Sequence, residues 1–186
     1  MRKTIDTREA ILERAVDLAS TDGLEGLTIG RLAGELEMSK SGLFGHFGSK
    51  EDLQIATIER AGRRFIGRVV EPAYRSTPEG AERLRALVNG YIDHMAEDIF
   101  PGGCFWAAAS AEFDGRPGPV RDAVKDAMAA WLAELERQAE AAGADDPKQL
   151  AFELHALAAG ANQRYQLFGD PEAFEHARRG IERLLG

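Results

Sequence analysis

Lys40, Ser41, His46 and Lys50 set two ammonium groups, a hydroxyl and an imidazole along one short stretch of chain. Such a set suits the phosphates and base edges of a nucleic acid better than it suits covalent chemistry. Lys40 can reach a phosphate or a guanine edge, and contact is the better reading than a solvated surface lysine. Ser41 and Gly42 would face the floor of a groove, with Gly42 offering only close backbone approach. Lys50 stands beside the free N–H groups that follow Ser49, an arrangement that suits a backbone phosphate. Thr28 could bond a phosphate in the same way or serve only as a helix cap. His46 is equally suited to a phosphate and to packing on a neighbouring helix.

These groups have to be carried by short helices. Thr28 is placed to N-cap one whose apolar positions Ile29, Leu32, Ala33 and Leu36 follow helical spacing. The turn Glu37-Met38-Ser39 leads into a second short helix, capped by Ser39, with Lys40, Ser41 and His46 on its exposed face and Leu43, Phe44 and Phe47 on its apolar side. Ser49 and Asp52 form a capping box for the helix after that. Two helices this short bury little surface. Their tight joint makes sense if the second must project into something, and the major groove of DNA is the usual recipient.

From about Thr7 to Leu53 the chain resembles the tetracycline-repressor (TetR) family of bacterial transcription regulators. The resemblance rests on a preceding amphipathic helix with Ile11, Leu12, Ala15, Leu18 and Ala19 inward and on the turn Asp22-Gly23-Leu24. It continues through L-T-I-x-x-L-A and M-S-K-S-G-L-F-x-H-F-x-S-K-E-D-L. It implies a DNA-binding regulator, a ligand-responsive repressor that binds a palindromic operator as a homodimer, with the last two helices as its dimer interface. The helix that begins near Lys50 would transmit the ligand signal. Three residues depart from the family pattern. Glu37 stands where the turn usually has a left-handed Gly. Phe44 replaces a Tyr whose hydroxyl bonds a phosphate, so its packing role is expected to survive and the phosphate bond to be lost. Gly42 replaces a small hydroxyl or methyl residue.

The net charge is −8, and residues 1–52 are themselves acidic, with 7 Lys and Arg against 10 Asp and Glu, a net of −3. Long-range attraction to DNA is therefore weak, and binding must rest on local cations and helix N-termini. The single cysteine, Cys104, rules out an internal disulfide and a multi-Cys zinc site. The opening MRKTIDTREAIL has no apolar run suited to a secretion signal, and no segment approaches the roughly 18 apolar residues of a membrane span. A cytoplasmic protein with no membrane association is expected.

The periodicity predicts an all-α chain of about nine helices and no strand, split into a helix-turn-helix part over residues 1–50 and a larger helical part for ligand binding and dimerisation over 51–186. A long helix should run from Ser49 to about Val70, where Pro72 ends or kinks it. Thr77-Pro78 should start another, Pro101-Gly102-Gly103 break it, and a short helix follow from Cys104 to Phe113. Asp114–Pro119 reads as a loop, Asp146-Pro147 as a helix start, and Gly169-Asp170-Pro171 as the last separator.

In the larger part, Phe65, Tyr91, Met95, Phe105, Trp106, Met128, Trp131 and Phe152 are aromatic or flexible apolar residues on several helices, and a packed core would use any of them. The polar Tyr91, His94, His155 and Asn162 at similar depth favour a small-molecule pocket, and its candidate lining is Phe65, Tyr91, Met95, Phe105, Met128, Trp131, His155 and Asn162. The small residues Ala158 to Ala161 permit close helix approach, at a dimer interface or against the chain's own core. No nucleophile–base pattern, glycine-rich phosphate loop or metal-ligand spacing is present, so neither catalysis nor a cofactor is expected. A helical ligand-binding module or small enzyme without DNA binding is the alternative, toward which the acidic balance of residues 1–52, Phe44 and Gly42 lean.

Overall fold

In a computed structural model, which describes residues 7–97 and 99–186, every regular element is helical. These are α1 (Thr7–Asp22), α2 (Ile29–Glu35), α3 (Lys40–Phe47), α4 (Lys50–Phe65), α5 (Glu71–Ser76), α6 (Ala81–Ala96), α7 (Phe105–Phe113), α8 (Pro119–Ala141), α9 (Pro147–Phe168) and α10 (Glu172–Leu185). A π-helical turn, Ile66–Val70, joins α4 to α5 without a break, so the described residues form nine helices when that run is taken as one. Residues 1–6 of the opening segment lie outside the described part. Among the described residues no helix is long and apolar enough to cross a membrane.

Contacts divide the chain into two compact units, one of Met1–Arg63 and Phe100–Asp126, the other of Arg64–Ile99 and Ala127–Gly186. In the first, the apolar stripe of α1 is buried as its spacing predicts, with Ile11, Leu12, Ala15, Leu18 and Ala19 inward together with Val16. Leu24, Leu27, Leu32, Ala33, Leu43, Phe47 and Leu53 complete the core around the helix-turn-helix. Residues 100–126 contribute Phe100, Phe105 and Trp106 to this unit, although they stand far from it in sequence.

Of the two outcomes the sequence allows at Pro72, an end or a kink, the first does not occur. The helix neither ends nor breaks there but runs on to Ser76. Proline lacks an N–H and its ring crowds the carbonyl one turn back. The wider π turn just ahead of it, closed by the Glu71 N–H donating to the Ile66 carbonyl, carries the chain past that crowding. The next helix starts at Ala81 rather than at Thr77-Pro78. Gly80 fixes that start, with φ 101°, its N–H donating to Gln138 Oε1 at 2.9 Å, and room for no Cβ beyond 3.2 Å from the Ala141 carbonyl oxygen. The other punctuation is as expected. Asp146 caps α9 by accepting from the Gln149 N–H at 3.0 Å, and Gly169 closes it in the left-handed conformation.

Glu37 is the one non-glycine residue with positive φ, 53°, among the described residues. It closes α2 in a Schellman motif, with the Met38 N–H donating to the Ala33 carbonyl at 2.9 Å and the Glu37 N–H to Gly34 at 3.3 Å. The turn thus keeps the left-handed geometry without the glycine that usually supplies it. Glu37→Gly should relieve about 0.5–1 kcal/mol, the left-handed penalty less the added chain entropy, and raise the thermal midpoint by roughly 1–4 °C. Calorimetry of the two proteins checks this, and a lowered midpoint would mean that the Glu37 side chain contributes more than its backbone strain removes.

Candidate nucleic-acid interface and regulatory core

Each short helix of the reading head begins at the residue the sequence assigns. Thr28 Oγ1 accepts from the Arg31 N–H at 3.1 Å, and Ser39 Oγ from the Gly42 N–H at 3.1 Å. Ser49 Oγ accepts from the Asp52 N–H at 3.0 Å and donates to the Asp52 carboxylate at 2.6 Å. The hydroxyl of Thr28 is thereby engaged in its cap, while the residue stays exposed.

On α3, Leu43 and Phe47 point into the core, and Lys40, Ser41, Gly42, Gly45 and His46 are exposed. The stem of Lys40 lies near Gly30, where a Cβ would be 3.4 Å from its Cε. The Ser41 hydroxyl is 3.3 Å from that of Ser39. The His46 ring sits tilted against Phe47, 6.2 Å between centroids. Phe44 corrects the sequence reading: it is 52% exposed and does not pack inward. With Leu43 and Phe47 four residues apart and inward, residue 44 lies about 100° around the helix from Leu43, on the solvent side.

Most cations of the head already hold carboxylates. Arg31 pairs with Asp22 at 2.6 Å and Arg14 with Glu35 at 2.6 Å. Lys50, expected to serve a phosphate, is turned to Glu25: its Nζ donates to the Glu25 carbonyl at 2.8 Å and to the carboxylate at 2.9 Å. The hydrogen bond from Lys50 holds the Glu25 carboxyl below its ordinary range. Lys40 has no carboxylate within salt-bridge distance among the described residues, which leaves it as the cation of α2 and α3 available to a phosphate.

A residue that sequence reading missed organises the head. Glu112 of α7 accepts from the N–H groups of Leu24 and Glu25, both at 2.8 Å. The Leu24 carbonyl takes the buried Gln54 Nε2 at 2.7 Å, and the Glu25 carbonyl takes Lys50. All four backbone polar groups of Leu24 and Glu25 are thus answered by side chains. Nearby, the Gly102 N–H donates to Ser20 Oγ at 3.1 Å, and a Cβ on Gly102 would stand 1.8 Å from the Ser20 carbonyl oxygen. Glu112→Ala should cost about 2 kcal/mol and lower the thermal midpoint by roughly 4–8 °C, with faster hydrogen exchange at the Leu24 and Glu25 amides. Glu112→Gln, which keeps one acceptor oxygen, should fall between. Unchanged exchange at those two amides would refute the anchoring role.

In the second unit five rings converge. Phe65 meets Tyr91 at 5.8 Å, His94 at 5.3 Å and Trp131 at 5.1 Å between centroids. Tyr91 meets Trp131 at 5.4 Å and stacks with His155 at 6.0 Å. Met95 and Asn162 are buried and Met128 half-buried in the same unit. Trp131 Nε1, His155 Nδ1 and Asn162 Oδ1 are buried without a hydrogen-bond partner among the described residues. Burial pushes the His94 imidazole down to about 4, helped by Arg64 and Arg68, and lowers that of His155. Two candidates do not join them. Phe105 belongs to the first unit, where it packs on Phe100 and Trp106 at 5.6 and 5.2 Å. Phe152, read as a core aromatic, is 65% exposed on α9.

Two family models match the chain: bacterial regulatory proteins of the tetR family over residues 11–57, and the tetracyclin repressor-like C-terminal domain over residues 80–181. The chain belongs to the TetR family. It is a DNA-binding transcription regulator and not an enzyme. It is 24% identical to the HTH-type transcriptional repressor NemR of Escherichia coli, over 97% of this chain and 94% of that protein. The TetR-family regulator SCO4454 of Streptomyces coelicolor superposes with a TM-score of 0.82 at 27% identity, covering 97% of this chain and 95% of that one. AibR, solved with isovaleryl coenzyme A and operator DNA, gives a TM-score of 0.72 at 23% identity, over 95% and 96% of the two chains.

On this TetR-family scaffold, α9 packs along α10 and leaves an apolar stripe outward. Phe152, Ala156, Gly160 and Leu167 recur on one face of α9 with the exposed Gln163 among them, and Leu184 is exposed on α10. Phe152, Leu157, Gly180 and Leu184 line a groove of about 540 Å³ there. Gly160 has open space where a Cβ would stand.

Proposed function

We propose that this regulator is a ligand-responsive repressor that binds a palindromic operator as a homodimer in the cytoplasm. Residues 1–50 form the reader and 51–186 the ligand-binding and dimerising part. The observation that supports the reading most directly is the outward face of α3, capped, exposed and carrying Lys40 beside Ser41 and Phe44. Thr28, Lys40, Ser41, Gly42, Phe44 and His46 are the DNA-facing set. Lys50 acts in it by holding the turn before α2, and its remaining donor can still face a phosphate.

A small-molecule effector fits the second unit because Trp131 and His155 bring unsatisfied polar atoms to the aromatic cluster, and Asn162 Oδ1 is buried and unsatisfied in the same unit. With its pKa lowered by burial, the His155 imidazole is neutral at physiological pH and carries one donor and one acceptor. AibR, with its coenzyme A thioester and operator, is a precedent for both kinds of partner on one fold. The effector shifts the arrangement of α4, and so the spacing of two recognition helices, by as much as its affinity differs between arrangements. A mobility-shift assay on the gene's own upstream DNA, with release screened against a small-molecule library, tests the function. Trp131→Ala should keep operator affinity within about threefold and blunt release by whichever compound frees the wild type at least tenfold more weakly. Equal release by both proteins would remove Trp131 from the site.

The stripe on α9 and α10 suits a second copy packed as a four-helix bundle. Gly160→Arg should be tolerated by the single chain, since the position is open and Arg ranks close to Ala, which a helix interior favours over Gly by about 0.8–1.0 kcal/mol. Sedimentation should nevertheless show monomers, with operator affinity lowered as the second half-site's effective concentration is lost. An intact dimer would move the interface elsewhere.

A further inference from the structure

We propose that Phe44 is a specificity-determining residue that reads the 5-methyl group of a thymine in the operator's major groove. The inference rests on α3 being the helix that enters the groove, and it adds what that helix recognises. At about 100° per residue, Ser41 and Gly45 point most directly away from the inward pair Leu43 and Phe47, Gly42 lies next to them, and Phe44 and His46 stand on the two flanks. Gly45 has nothing within 4 Å of where a Cβ would be, and Gly42 has only its own cap, Ser39 Oγ at 3.0 Å. The backbone can therefore approach base edges closely, and the large apolar side chain beside it is the 52% exposed ring of Phe44.

The chemistry of that face is narrow. The helix has no Arg, Asn or Gln to form the bidentate pairs that distinguish guanine or adenine. Lys40 at its first residue is a point charge, the Ser41 hydroxyl bonds to any base, and the exposed His46, on the opposite flank from Phe44, rests its ring against Phe47. Discrimination by polar pairing is weak here. An exposed aromatic edge facing the groove has one apolar partner unique to a single base, the thymine methyl. Singly exposed hydrophobic residues are common on protein surfaces. What distinguishes Phe44 is its place on an exposed flank of the recognition helix, beside two positions without side chains.

The test uses the duplex protected in a footprint of the full-length protein on its own upstream DNA. Each thymine is replaced in turn by deoxyuridine, which removes only the methyl. At one thymine, or at its symmetry mates, wild-type affinity should fall about fourfold per methyl lost, the equivalent of the ~0.8 kcal/mol of one buried methylene. Phe44→Ala should bind thymine and uracil duplexes equally while melting at the wild-type temperature, and Phe44→Tyr should keep the thymine preference. Uniform wild-type affinity across all the uracil duplexes overturns the proposal, as does a thymine preference that survives in Phe44→Ala. Lys40→Ala separates this failure from that of the underlying reading. If it weakens binding while uracil is silent, α3 enters the groove and only the methyl contact falls. If Lys40→Ala and Phe44→Ala both bind as the wild type does, α3 is not the reading helix and both readings fall.

Discussion

Leu24 and Glu25 sit in a turn that satisfies little of its own backbone beyond the Leu27 N–H donating to the Leu24 carbonyl at 3.2 Å, and the reading head takes its geometry from how the rest is met. Two N–H groups go to one carboxylate on α7, and two carbonyls go to side chains on α4. A hydrogen bond to a charged group contributes about 1.5–3 kcal/mol, so this cluster outweighs any single apolar contact in fixing where α1 hands over to α2. The direction of α2 follows from it. Through the Schellman closure at Glu37, so does the direction of α3. The groove-facing side chains are thus held by a residue, Glu112, that lies 88 positions from the first amide it bonds.

That distance explains what was legible in the sequence and what was not. Caps at Thr28, Ser39, Ser49 and Asp146 are local, since a hydroxyl or carboxylate meets an amide two or three residues ahead, and all four are found where their residue types point. The inward stripe of α1 is equally local, because helical spacing alone selects it. Glu112 carries no such mark. It is an acidic residue on an alanine-rich helix, and its partners are backbone groups with no side-chain signature. The membership of residues 100–126 in the first unit depends on the same kind of long-range contact and was hidden for the same reason.

Other misreadings came from treating residue type as position. Phe44 is apolar, yet the inward pair Leu43 and Phe47 already fixes the buried face of α3 and turns residue 44 to solvent. Phe152 is apolar too, but on α9 the buried positions are Ala151, Leu154, Ala158, Ala161 and Asn162, which turn it to solvent. Pro72 shows a different limit. The rule that proline ends a helix assumes an α ladder, and a wider turn just before it lets the helix continue. In the second unit the ring cluster gathers residues from α4, α6, α8 and α9, and spacing within each helix points inward without showing which residues will meet.

The pairing of cations in the head bears on how the protein lives among the rest of the chromosome. Arg14, Arg31 and Lys50 each hold a carboxylate, so an arbitrary duplex displaces few counterions when it meets this surface. Grip on random sequence comes almost wholly from that displacement, and a genome presents about 10⁶ or more such sequences in competition with one operator. A reader that holds random DNA loosely loses few of its copies to the bulk. Occupancy of the operator then takes fewer molecules per cell, and each one searches more by fresh encounters than by long travel along the duplex.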